Sequence, residues 1–188
     1  MIVIAALLFG IFTADSARAQ VSHRDWGFTA LAGPTLRTGD RPTALGPHIG
    51  FGANYGFHPM WNFSSELTVA LPVSFVDEER APDGFSGPYL SAGAFVGIST
   101  VFDVLKIVPW LRIAGGTLLE QRVAWDEQKR VGLNPALMLS LGLDVRKVRD
   151  HAWGAQADLI AAARPDWRWA HYVRLSLRYT WMRSRSGI

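Results

Sequence analysis

The stretch that most constrains this chain is Arg168 to Trp181, RWAHYVRLSLRYTW. His171, Val173, Leu175, Leu177, Tyr179 and Trp181 fall on one parity, and Tyr172, Arg174, Ser176, Arg178 and Thr180 on the other. This is the two-residue period of an extended strand, with one apolar face and one face that carries two arginines. A fold for this chain must therefore give its strands two environments, one apolar and one that tolerates charge.

The same period recurs upstream. Trp26 to Leu36 reads as a first strand and Arg37 to Ala44 as a polar loop. Leu45 to Phe57 alternates apolar residues with glycines and small polar groups, and after a turn at His58-Pro59-Met60 the pattern resumes from Trp61 to Phe75, with Glu66 on the non-apolar parity. Tyr89 to Ser99 follows a charged loop at 76–87, and a turn at Phe102 to Lys106 leads to a strand from Ile107, with Trp110 and Arg112 opposite its apolar face. A charged loop is expected from Leu119 to Val131. Leu133 to Asp144 and Trp153 to Ala162 complete the set, with Arg146, Lys147 and Arg149 in the turn between them and a loop at 163–169 before the final strand. The count is eight strands, joined alternately by long charged loops and short turns.

Periodicity does not say which face looks outward, but three features do. Glu66, Arg112, Asp144, Asp158, Arg174 and Arg178 share the non-apolar face, three of each sign, and neutralise one another only if they converge. An eight-stranded barrel has an interior of about that size. The apolar face carries no Lys, Arg, Asp or Glu within the strands, where such a charge at mid-bilayer costs about 2 to 4 kcal/mol. The aromatics fall at two heights: Trp26, Tyr55, Phe57, Trp61, Phe102, Trp153, Tyr179 and Trp181 at the short-turn rim, and Phe75, Phe85, Trp125, Trp167 and Trp169 at the long-loop rim. Two girdles suit the two headgroup regions of a membrane.

With these features the chain resembles the small eight-stranded bacterial outer-membrane β-barrels, the OmpA transmembrane-domain and opacity-type superfamily. Phe102-Asp103-Val104-Leu105, Val108-Pro109-Trp110 and Gly115-Gly116 resemble an aromatic-rich turn and strand of such proteins, and the Leu175-Leu177-Tyr179-Trp181 parity resembles their assembly signal. The departure is Met182 to Ile188, which follow the closing aromatic. The resemblance implies an all-β, eight-stranded antiparallel up-and-down transmembrane β-barrel in the outer membrane, handled by the barrel-assembly machinery during biogenesis.

The domain organisation expected is a signal peptide over 1–19, a barrel over 20–181 and a short tail over 182–188. Ile2 to Phe12 is too short for a spanning helix, which needs about 20 residues, and Ala17 and Ala19 give a small-x-small cleavage pattern. No Lys or Arg precedes the apolar run, a departure that leaves a start further upstream as the alternative. The absence of cysteine excludes disulfides and thiolate metal sites. The chain is basic, with a net charge of +3, yet its basic residues are dispersed. Nucleic acid is therefore not an expected partner, and outer-membrane lipid, with lipopolysaccharide as counter-charge, is. Oligomeric state has no signature in the sequence.

The lumen charges are the candidate site. Glu66, Arg112, Asp158 and Arg174 are expected near mid-depth, with Asp144 and Arg178 nearer the periplasmic rim. They read either as an internal salt-bridge plug, with Arg174 facing Asp158, or as the lining of a narrow channel for ions or small solutes. Because an unpaired buried charge costs several kcal/mol, mutual pairing is the default. A lipid-modifying enzyme is the third reading: no His-x-Ser occurs, and His171 and Ser176 point to opposite faces. No catalytic residue, cofactor or metal ligand set is assigned. The glycines from Gly50 to Gly56 lie in a strand with no following helix, so they fail as a phosphate loop. They are expected to make room across the lumen for Tyr89, Phe95 and Trp110.

Overall fold

The computed structural model describes residues 25–39, 43–74, 88–102, 107–122, 131–148, 151–164 and 168–183. The strands are β1 (Trp26–Gly39), β2 (Ala44–His58), β3 (Trp61–Ala70), β4 (Val73–Ser74), β5 (Tyr89–Val101), β6 (Ile107–Arg122), β7 (Val131–Val148), β8 (His151–Ala163) and β9 (Trp169–Arg183). Each pairs antiparallel with its neighbours in the sheet, and β9 pairs with β1, so the sheet closes on itself. β4 is a two-residue continuation of β3. His48 opposes Ala70 and Ala44 opposes Ser74 in one unbroken register, interrupted only at Leu71 and Pro72, where proline offers no N–H to the ladder. The barrel therefore has eight staves, the architecture expected from the alternation.

Burial follows parity. Along β3 every second residue from Asn62 to Ala70 is buried, and the residues between are exposed. The exposed set is apolar: Phe51, Leu67, Val96, Ile113, Leu137 and Leu177 all project outward, Leu177 with 73% of its surface free. At the short-turn rim Trp26 stacks near Tyr55 with centroids 4.9 Å apart, Phe57 near Phe63 at 4.5 Å, and Trp153 near Tyr179 at 4.8 Å. At the other rim Trp169 is exposed. Phe75, Phe85, Trp125 and Trp167 lie outside the described residues, as do the leader at 1–19, the loop at 76–87 and Arg149.

Strand ends are where the sequence reading needs correction. Arg37 to Gly39 belong to β1 and Leu119 to Arg122 to β6, although both runs read as loop. Arg37 and Glu120 face the interior and pair with each other across the barrel, so their polarity marks the lumen and not the loop. Arg146 and Lys147 lie within β7, and Met182 and Arg183 extend β9 two residues past Trp181. Met182 is buried and opposes Gly27, which draws it into the sheet. β1 ends at Gly39, whose φ of 124° and close approach to the Trp169 carbonyl both exclude a Cβ.

Candidate functional site: the barrel lumen

The interior is layered, and the chain order of β6 to β9 sets the layers. Going down β6 from the long-loop rim, the inward residues are Glu120, Leu118, Ala114 and Arg112. On β7 they are Asn134, Ala136, Met138 and Ser140, and on β8 they are Ala162, Ile160 and Asp158. Each strand passes from its loop end through an apolar layer to a polar one.

The outermost layer is centred on Glu120. Its carboxylate accepts from Arg37 Nε at 3.0 Å, from Asn134 Nδ2 at 3.4 Å, and from Arg164 Nη2 and the Tyr172 hydroxyl in still shorter contacts. β1, β7, β9 and the residue following β8 are thus tied to one carboxylate on β6. Arg37 also lies over the Tyr89 ring, 5.2 Å from its centroid. Of Glu120 and its four partners, only Asn134 and Tyr172 fall on parities that the sequence reading assigned to the lumen; Glu120, Arg37 and Arg164 were expected in loops. The signal was present: Glu120 continues the even parity of Arg112, and Arg37 the odd parity that Thr35 shares.

Beneath it Phe95, Leu118, Met138, Ile160 and Tyr172 form one buried cluster with four alanines. Opposite them β1 and β3 contribute Thr35, Thr68 and Ala70, also buried. An interior filled solely by polar groups is therefore not what the barrel has. A largely apolar layer interrupts it.

The middle layer gathers three of the six candidate residues. Arg112 Nη2 lies 2.6 Å from Glu66 Oε2 and 3.6 Å from Asp158 Oδ1, and its Nε donates to Ser140 Oγ at 3.2 Å. Gln156 Nε2 donates to Asp158 at 2.7 Å and to Glu66 at 3.4 Å, so one amide and one guanidinium bridge the two carboxylates. Arg174 is opposite Asp158 in the β8–β9 register and fully buried, yet its guanidinium has no hydrogen-bond partner or ion pair among the described residues. The Arg174–Asp158 pair is corrected on this point: Arg112 and Gln156 already hold that carboxylate. His48 Nε2 meets Ser176 Oγ at 2.9 Å, reaching from β2 across β1 where the intervening residue is Gly33.

The innermost layer holds the other two candidates. Arg178 Nη1 is 3.8 Å from Asp144 Oδ2, its Nε donates to Thr180 at 3.1 Å, and its Cζ sits 4.3 Å from the Trp110 ring centroid. The Trp110 ring lies where a Cβ on Gly142 would be, and the Asp144 carboxylate occupies the corresponding space at Gly154. These two glycines make the room that the sequence reading assigned to Gly50 through Gly56. Gly50 instead abuts Leu31. A cavity of about 10 Å³, close to the space of a single water, remains among Asn54, Asn62, Ser99, Val101, Trp110, Arg112 and Arg178. Among the described residues no three His, Asp or Glu side chains gather as metal ligands.

No protein-family model matches the sequence, and no curated protein matches it. Solved structures do match. The Neisserial surface protein NspA aligns at a TM-score of 0.69 with 11% identity, over 83% of this chain and 96% of NspA. Ail, the attachment invasion locus protein of Yersinia pestis, gives 0.55 with 10% identity over 85% and 99%, and the outer membrane protein OprG of Pseudomonas aeruginosa gives 0.51 with 8% identity over 86% and 97%. An apolar outer surface of this extent has no counterpart on water-soluble monomers, and it is the surface a bilayer requires. With its closed sheet, lipid-facing belt and filled interior, the chain has the fold of the small eight-stranded outer-membrane β-barrel proteins, and the outer membrane is its location.

Proposed function

We propose that this protein is an integral outer-membrane barrel with a structural or surface-interaction role, and that its lumen is closed. The observation that carries this reading is the apolar layer of Phe95, Leu118, Met138, Ile160 and Tyr172 between two ion-paired layers. An ion crossing it would shed its hydration and meet only the Thr35 and Thr68 hydroxyls in return, much as at the hydrophobic constrictions that stop conduction. Function then resides outside the lumen, on the loop rim and the lipid-facing belt, with outer-membrane lipid and lipopolysaccharide as the surrounding partners and the assembly machinery acting during insertion. Ail has been crystallised with the heparin analogue sucrose octasulfate, and that example motivates a search for partners at the loop rim.

The test is current across planar bilayers carrying the refolded protein, with heat-modifiable gel migration as the control that the barrel has formed. A folded barrel without discrete openings supports the reading. A channel is the second reading, favoured by one observation, the unbonded Arg174 at mid-depth. It predicts openings whose conductance changes in Arg174→Met. The His48–Ser176 contact lies inside the filled lumen, and we assign it no catalytic role. Unchanged lipid A mass spectra in cells with and without the protein would agree with that.

A further inference from the structure

The cavity of the innermost layer has a mostly polar lining. Asn54, Asn62, Ser99, Trp110, Arg112 and Arg178 surround it beside Val101, and each of these six can offer an N–H or O–H donor. No carboxylate lines it. Both guanidinium groups lie over the same indole, with Cζ 4.3 Å from the Trp110 centroid for Arg178 and 5.9 Å for Arg112. Two like charges thus share one indole and line one small cavity. Their carboxylate partners sit elsewhere: Glu66 is on Arg112 Nη2 at 2.6 Å, and Asp144 is 3.8 Å from Arg178, beyond hydrogen-bond reach.

A second observation comes from Trp110 itself. It is 4% exposed, its Nε1 makes no hydrogen bond of normal geometry although the Asp144 carboxylate lies beside it, and an indole can only donate. A buried donor without a well-formed partner is destabilising. An acceptor in the cavity would serve the indole and offset the repulsion between the two guanidinium groups.

We propose that this cavity binds one monatomic anion of chloride size. The space of about 10 Å³ admits a single sphere and excludes phosphate, sulfate and carboxylates. Water is the competing occupant: it satisfies the donors equally but leaves the two positive charges as they are. The anion closes the lumen at its periplasmic end and fastens β2, β3, β5, β6 and β9 to one point.

The test is the thermal midpoint of heat-modifiable migration for the refolded mature chain in micelles, titrated with chloride or bromide against gluconate at constant ionic strength. Chloride and bromide are expected to raise the midpoint saturably, and crystals grown in bromide are expected to show an anomalous peak at the cavity. Asn62→Asp places a carboxylate there and is expected to abolish the halide dependence, raising the midpoint in gluconate toward the chloride value. Equal midpoints in all three salts, or a cavity without bromide density, overturn the proposal. Should Asn62→Asp fail to fold, the wild-type titration and the bromide density still decide between halide and water.

Discussion

The two multi-residue ion-pair groups inside the barrel use the same chemistry at different heights and differ in how they are tied. The outer group has one carboxylate, Glu120, serving Arg37, Arg164, Tyr172 and Asn134. The middle group has two carboxylates, Glu66 and Asp158, sharing Arg112 and Gln156. Losing one acceptor in the middle leaves the other in place, whereas losing Glu120 removes the one carboxylate that, among the described residues, four side chains share. A network's tolerance of damage thus depends on how many acceptors it has, and less on how many bonds can be drawn.

The largest effect expected is for Glu120→Ala, a loss of about 3 to 5 kcal/mol, as for other single-partner removals from buried ion pairs. Urea unfolding in micelles, followed by heat-modifiable migration, would measure it. Glu66→Ala should cost less, about 2 to 3 kcal/mol, because Arg112 retains Asp158 and Ser140. Equal losses in the two variants would remove the contrast between one acceptor and two. The smallest effect belongs to Arg174→Met. With no bonded partner to orphan, it should change stability by no more than about 1 kcal/mol or increase it, and should add to Asp158→Ala within about 0.5 kcal/mol. A coupling well above that would restore the cross-strand pair.

The middle group was legible in the sequence because it lies in the centre of long alternating runs, where parity alone assigns a side chain to the lumen. Arg112 and Asp158 sit between apolar neighbours on the opposite face, and Glu66 between Ser65 and Leu67 in a run that is otherwise apolar. Glu120 and Arg37 obey the same parity, but they stand where the outward face also turns polar or ends, at Gln121 and Thr38. Once both parities are polar, a strand end and a loop have the same signature. The apolar layer was hidden for a related reason: Met138 and Ile160 lie on the non-apolar parity beside Ser140 and Asp158, and only the register between strands stacks them at one height. The failed Arg174–Asp158 pair teaches the limit of register in turn. Adjacent Cα positions do not decide which of several arginines claims a carboxylate.

Single-channel recording on the folded wild type and on Glu120→Ala in the same bilayer tests the central claim most directly. Both should be silent, the variant because Phe95, Leu118, Met138 and Ile160 still bar the lumen after the outer group is broken. Discrete openings in the folded wild type would contradict a closed lumen and make the middle charges the lining of a channel.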